Sequence, residues 1–160
     1  MLILNGGYDC NISVSTVLRN TVSDLKFHVN LQGHANALRD ISVNNQYNVS
    51  LIGTASQDSY VRLWTLKQLS EEEVKIFESR RKDNITIFDE YKSQTSYAFK
   101  LDEGEYYHIL LESVLYDHED TVSSVRFYEN NGKVFILTSS FDFTVGLWEY
   151  TNVSSRLFLI

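Results

Sequence analysis

Two segments of the chain carry the same three residue types at the same spacings. In the first, His34 lies twenty-four residues before Asp58, which lies six residues before Trp64. The same residue types recur at the same intervals at His118, Asp142 and Trp148. Sequence repeats of roughly 20–50 residues are typical of folds in which copies of one structural unit stack side by side. This recurrence limits the possible folds more than any other feature of the sequence.

A third, degenerate copy lies at the start of the sequence. Asp9 takes the place of the turn aspartate, Ser15 stands where the other copies have tryptophan, and no histidine precedes them. In all copies, short runs that alternate apolar and polar residues are separated by turns rich in Asn, Asp and Gly, which is typical of antiparallel strands. The pattern predicts strands at 38–43, 50–56 and 60–66, and again at 122–127, 134–140 and 144–150.

A charged insertion, residues 67–96, separates the two complete copies. Ser70 and Glu73 have the spacing of a capping box, which allows a short helix, although the composition favours a solvated loop. The alternative is a loop that binds a partner or is phosphorylated at Ser70. The candidate contacts in such a loop are Ser70, Glu71, Arg80, Arg81 and Lys82. Residues 97–101 and 105–111 then flank Asp102-Glu103-Gly104 and predict a hairpin.

Composition excludes several classes of function. The net charge of −7 argues against general nucleic-acid binding, which depends on Lys and Arg neutralising phosphates. Cys10 is the single cysteine, so a cysteine-based zinc site is not expected, and His28 and His108 have no metal-ligand spacing. No phosphate-binding or dinucleotide-binding motif occurs, and no apolar run could span a bilayer. We therefore expect no cofactor, metal, membrane or small-molecule substrate, and a location in the cytoplasm and also the nucleus.

Short strands in units that end on Leu-Trp resemble the WD40 repeat, in which about 40–45 residues form one four-stranded propeller blade. The residue after tryptophan, normally Asp in this family, is Thr65 in one copy and Glu149 in the other. The resemblance implies that each turn aspartate binds the histidine, which binds a hydroxyl on the second strand, which meets the indole N–H. The implied networks are His34, Thr54, Asp58 and Trp64, and His118, Thr138, Asp142 and Trp148.

Two other interpretations of these residues remain open. Ser56 and Ser140 could supply the hydroxyl, although we favour Thr54 and Thr138 because we expect them to lie opposite the tryptophans across the hairpin. A histidine, an aspartate and a hydroxyl could also form a hydrolase triad. An enzyme seldom needs one triad twice, so we predict a structural role and no catalytic residue.

The fold predicted from these patterns is all-β. It is an open arc of about 2–3 four-stranded antiparallel sheets, each a WD40-type β-propeller blade. Residues 1–31 would form a degenerate partial blade. Residues 32–66 and 97–115 would form a blade that carries the insertion, and residues 116–160 the last blade. Since propellers typically have 4–8 blades, we expect a fragment, a reduced form or a piece that needs partner chains.

The order of motifs gives a closer resemblance. Gly6-Gly7-Tyr8-Asp9, Gln32-Gly33-His34, Ala55-Ser56-Gln57-Asp58, the long insertion and His118-Glu119-Asp120 follow one another as in the first propeller of the Elongator complex subunit 2 family. The resemblance implies a non-catalytic scaffold with Elongator subunits as partners, in a complex that modifies wobble uridines of transfer RNA. The alternatives are a WD40 adaptor of a ubiquitin ligase or signalling complex and, third, a hydrolase that uses His34 or His118.

Overall fold

The computed structural model describes residues 2–17, 25–45, 48–80, 86–87, 95–101 and 104–151. Within these ranges the chain forms twelve strands and one helix. The strands are β1 (Leu2–Gly6), β2 (Ile12–Val17), β3 (Leu25–Leu31), β4 (Leu38–Asn45), β5 (Ser50–Ser56), β6 (Val61–Gln68), β7 (Thr86–Ile87), β8 (Ser96–Lys100), β9 (Tyr106–Leu115), β10 (Val122–Asn130), β11 (Lys133–Ser140) and β12 (Val145–Tyr150). The helix is α1 (Glu71–Arg80).

The strands form three antiparallel sheets. The first sheet has the order β1-β2-β3, the middle sheet β4-β5-β6-β9-β8-β7, and the last sheet β10-β11-β12. The all-β class is thereby confirmed, and the sheets follow each other as an open arc. The strand numbers differ from four per sheet. In the middle sheet β9 is the fourth strand, and its outer edge is then covered by β8 and β7.

Apolar cores fill the two spaces between the sheets. Ile12 and Val14 of the first sheet pack with Ile52 and Trp64 of the middle sheet. On the other side, Val61 and Leu63 of the middle sheet pack with residues of the last sheet that include Val125 and Trp148. Each tryptophan thus faces the preceding sheet. The middle sheet is buried on both faces, since residues that alternate along a strand point to opposite sides.

The copies of the repeat differ in burial according to their neighbours. Val61 on the middle sheet is fully buried, at 0% exposure, against the last sheet. Val145 holds the corresponding position in the last copy, counted from the turn aspartate, and is 72% exposed. The same motif position is therefore a core residue in one copy and a surface residue in the other.

One carboxylate links the middle and last sheets directly. Asp40 on β4 accepts hydrogen bonds from the Ser124 hydroxyl at 2.7 Å and from the Val125 amide at 2.9 Å. The Arg126 guanidinium also donates to this carboxylate and forms an ion pair with it. Because the Val125 amide would otherwise lack a partner at a buried position, Asp40 joins the innermost strands of the two sheets in a fixed register.

The insertion contains a packed helix, so the expectation of a solvated loop is wrong for this part of it. Ser70 caps α1: its amide donates to Glu73 at 3.0 Å, and the Glu73 amide donates to the Ser70 hydroxyl at 3.3 Å. Phe77, only 3% exposed, packs against Ala98 and Tyr106 on the outer strands of the middle sheet. Val74 packs on the same cluster, and the Tyr106 hydroxyl donates to Glu78 at 2.6 Å, so these contacts together attach an otherwise charged helix to the rim of the sheet.

Candidate functional site

The first histidine network joins a loop, a turn and two strands of the middle sheet. His34 lies in the loop between β3 and β4, and its Nδ1 is 2.9 Å from an Asp58 carboxylate oxygen in the β5–β6 turn. Its Nε2 is 2.8 Å from the Thr54 hydroxyl on β5. The Trp64 indole on β6 donates to the same hydroxyl at 3.3 Å. The structure thus brings all four predicted residues together.

The second network repeats this geometry in the last sheet. His118 Nδ1 lies 2.9 Å from Asp142, and its Nε2 lies 2.7 Å from the Thr138 hydroxyl. The Trp148 indole donates to Thr138 at 3.3 Å, as in the first network. The distances are nearly equal in both copies, so residues at equal spacings in the sequence make equivalent contacts in the two sheets.

The threonines, rather than the serines two residues later, supply the central hydroxyl. Ser56 and Ser140 have a different role, because each donates to a loop carbonyl and accepts from the amide of its turn aspartate. The expectation that the threonines lie opposite the tryptophans is wrong, however. The strand register pairs Thr54 with Arg62 and Ile52 with Trp64. The Trp64 indole therefore reaches Thr54 diagonally across the hairpin, within the range of a long aromatic side chain.

The two networks differ in the group that completes them. In the middle sheet the Arg62 guanidinium donates to Asp58 at 3.0 Å and lies 2.7 Å from His34 Nδ1. The corresponding position in the last sheet is Gly146, and there the Thr144 hydroxyl donates to Asp142 at 2.6 Å. A full positive charge pairs with the carboxylate in one copy, whereas in the other a neutral hydroxyl only donates a hydrogen bond to it. Neither group follows from the three residue types that define the repeat.

Each turn aspartate is held as a carboxylate. Burial alone would raise the pKa of Asp58, but hydrogen bonds from His34 and from two backbone amides hold this pKa well below its usual value. Burial also raises the pKa of Asp142, and the hydroxyl and amide of Thr144 lead the hydrogen bonds that lower it well below its usual value. With Asp142 ionised, His118 Nδ1 is the hydrogen-bond donor, and in the neutral ring Nε2 then accepts from Thr138.

The geometry of the networks suits packing rather than hydrolysis. The Thr54 hydroxyl is fully buried and is already shared between His34 and Trp64. A nucleophile must reach a reacting atom, with room beside it for a bound substrate. A hydroxyl enclosed by its own histidine and an indole has neither access nor space. The favourable contribution of each network is that it pairs polar groups which burial would otherwise penalise.

The first sheet has a different histidine–threonine contact in place of the network, which the sequence did not indicate. Among the described residues, its turn aspartate Asp9 forms hydrogen bonds only with Asn11. His28 on β3 instead meets the Thr16 hydroxyl at 2.8 Å and stacks on Phe99 of the middle sheet at 5.4 Å between ring centroids. His28 has no repeat spacing, so only the strand register brings it to Thr16.

The residues proposed for a partner-binding loop are separate from both networks. Ser70 is the exposed cap of α1 and Glu71 its exposed first residue. Arg80 ends α1, while its side chain and the residues Arg81 and Lys82 lie outside the described part of the chain. Among the described residues, no group of His, Cys, Asp and Glu could hold a metal ion, and no helix is long and apolar enough to cross a membrane.

Comparison with known proteins agrees with this geometry. The family model for the WD domain, G-beta repeat, matches residues 25–65 and 110–149, which contain both histidine networks. The chain belongs to the WD40-repeat family. The first matched segment begins with β3 of the first sheet, and the second begins within β9 of the middle sheet. Each then continues through the histidine, turn and tryptophan of the following sheet, so the sequence repeat runs across the boundary between sheets.

Three curated relatives are each named Elongator complex protein 2. The protein of Schizosaccharomyces pombe is 28% identical over 81% of this chain and 16% of its own length. That of Drosophila melanogaster is 28% identical over 76% and 15%, and that of Saccharomyces cerevisiae 24% identical over 96% and 19%. The predicted resemblance to Elongator subunit 2 is confirmed. The chain spans less than a fifth of the length of these relatives.

Proposed function

We propose that this chain is a non-catalytic scaffold element of an Elongator-type complex, where it holds other protein subunits. The observation that carries the proposal is the similarity to three Elongator complex protein 2 sequences over 76–96% of the chain. Through this resemblance the proposed role is support of wobble-uridine modification in transfer RNA. The proposed partners are proteins, and the proposed location is the cytoplasm and the nucleus.

The buried networks support a non-catalytic role. The histidine, aspartate and hydroxyl of each network are hydrogen-bonded to one another at largely buried positions. No acid, base or nucleophile of the network is therefore open to a substrate. A rigid stack of sheets with exposed loops is instead suited to binding proteins, because loops on a stable scaffold can carry contacts without disturbing the core.

The proposal is tested by purifying the tagged chain from cells of its own organism and identifying the co-purified proteins by mass spectrometry. Elongator subunits are the expected result. Trp64→Ala is the control, because loss of this fully buried side chain should disrupt the middle sheet and release specific partners. Recovery of ubiquitin-ligase or signalling subunits in place of Elongator subunits would favour the alternative adaptor role.

The proposed link to transfer RNA is tested separately. In cells that lack the corresponding gene, wobble-uridine modification of total transfer RNA should fall, and the wild-type chain should restore it. Mass spectrometry of hydrolysed transfer RNA measures this level. If wobble-uridine modification is unchanged in the deletion strain although the chain binds Elongator subunits normally, its role is in assembly of the complex and not in the modification.

A further inference from the structure

Two loops meet at the exposed end of the last sheet. The β11–β12 turn lies against the β9–β10 loop: the Phe141 amide donates to the Thr121 carbonyl at 2.9 Å. The Glu119 amide donates to the Asp142 carboxylate at 3.0 Å, which fixes the loop to the turn a second time. We name this region the aromatic loop surface, and it consists of Tyr116, Asp117, Glu119, Asp120, Phe141 and Phe143.

Phe143 is the most unusual residue of this surface. Its side chain is 100% exposed, and its backbone lies in the left-handed region with φ of 67°. Cys10 and Ser59 hold the same position after the turn aspartate in the other two copies, with φ of 64° and 70°. A bulky residue is disfavoured in that conformation, and an apolar ring is disfavoured in water. Phe143 therefore carries two costs that a smaller residue at the same position reduces.

The neighbouring aromatic rings are also exposed and already show which groups they attract. Phe141 is 52% exposed, and the Arg39 guanidinium lies 5.9 Å from its ring centroid. Tyr116 is exposed and packs edge-to-face on Tyr60 at 5.5 Å. Aromatic faces attract guanidinium and ammonium groups through the charge distribution of the ring. The Arg39 contact is an example of this attraction within the chain itself.

The negative charge of the surface favours a positively charged partner. Asp117, Glu119 and Asp120 are all exposed in the β9–β10 loop, which is hydrogen-bonded to the turn that carries the two phenylalanines. None of the three carboxylates forms an ion pair with any residue that the structure describes. Exposed aromatic residues are enriched at the centres of protein interfaces, and complementary charge guides the correct partner to them. Three carboxylates repel phosphate, which argues against a nucleic acid.

We propose that the aromatic loop surface is a docking site for a positively charged protein segment. Apolar side chains of the segment would cover Phe143, while its Lys or Arg side chains would meet the carboxylates. The inference rests on the proposed function only in requiring that the chain holds a protein partner. It adds the place on the chain and the chemistry of that partner.

A peptide selection tests this inference with a library that covers many candidate segments at once. Random peptides displayed on phage are selected on the 160-residue chain and counter-selected on Phe143→Ser, which installs the residue of the middle copy. Peptides that bind the wild type alone should carry Lys or Arg together with apolar residues. Thermal unfolding checks that the variant is folded. Its melting temperature should be equal or higher, because Ser removes the exposed apolar ring and reduces the cost of the left-handed position.

Affinities of the selected peptides then separate the two contributions. Phe143→Ser should weaken binding at least about tenfold, as expected for an interface hot spot. The pair Asp117→Lys and Glu119→Lys should weaken it similarly and reduce its sensitivity to salt. The matched control is Tyr128→Ser, which removes a half-exposed ring near the β10–β11 turn and should change affinity less than about twofold.

Four results would overturn the inference: no selected peptide, peptides of negative charge, peptides bound equally by wild type and Phe143→Ser, or an RNA oligonucleotide whose binding Phe143→Ser abolishes. These results are independent of the test of the proposed function. If no Elongator subunits co-purify but basic peptides bind the wild type and not Phe143→Ser, the Elongator role is rejected and the docking site is kept. Presence of Elongator subunits without such peptides would reject the docking site alone.

Discussion

Replacement of Thr138 by valine is the most direct test of the histidine networks. Valine has nearly the shape of threonine but lacks the hydroxyl, so the change removes one polar group and little volume. Thr138 is 2% exposed, and its hydroxyl meets His118 Nε2 at 2.7 Å and the Trp148 indole at 3.3 Å. After the change, a buried acceptor and a buried donor each lose their partner.

The size of the effect follows from these two groups. A buried donor or acceptor left without a partner costs about 1–3 kcal/mol, so two such groups should lower the free energy of unfolding by roughly 2–6 kcal/mol. Thr138→Ser keeps the hydroxyl and loses one methyl group, which costs about 1 kcal/mol. The valine variant should therefore be less stable than the serine variant by about 1–5 kcal/mol.

Urea unfolding followed by tryptophan fluorescence measures this difference. The chain has two tryptophans, and each lies in one of the networks, so the signal reports on the groups under test. In thermal unfolding, each kcal/mol corresponds to about 2–4 °C for a chain of this size. Equal stability of the valine and serine variants would refute the view that the hydroxyl stabilises the sheet. Loss of a hydrolytic activity at unchanged stability would support the hydrolase interpretation instead.

Three further outcomes are expected. Folding lowers the pKa of Asp58 and Asp142, so the unfolded chain takes up protons first as pH falls. The contribution of these two carboxylates to stability should therefore be complete at neutral pH and decline below about pH 5. Urea unfolding at a series of pH values checks this. Asp40→Ala, which leaves the Val125 amide without its partner, should cost about 1.5–3 kcal/mol, whereas the exposed Arg126→Ala should cost less than about 1 kcal/mol in the same urea assay. Ser70→Ala should destabilise α1 by about 1 kcal/mol, seen as faster hydrogen exchange of the helix amides but not of the strand amides.

Features carried by local sequence could be predicted from the sequence. The strand positions follow from alternation, because one face of each strand meets a core. The network residues follow from the repeat, because equal spacing in the chain places equal side chains at equal positions in each sheet. The capping box of α1 is likewise a contact between residues three apart, Ser70 and Glu73.

Contacts between distant residues could not be predicted in this way. Asp40 meets Val125 only because the two inner strands lie side by side, and His28 meets Thr16 only through the register of β2 and β3. The docking of α1 depends on Phe77 and Val74 packing on the outer strands and on a hydrogen bond from Tyr106 to Glu78. All three helix residues lie in a segment whose composition is that of a solvated loop. Each of these contacts is specified by the assembled sheets rather than by a pattern along the chain.

The contrast between Val61 and Val145 has a consequence for how substitutions are tolerated. The two residues are identical in type and in place within the repeat, yet one is enclosed between two sheets and the other faces water in the described chain. A change to threonine or lysine at Val61 introduces a polar group into a closed core. The same change at Val145 leaves that group hydrated. A scan of all substitutions should therefore find two unrelated tolerance profiles for one motif position, set by the neighbouring sheet and not by the motif.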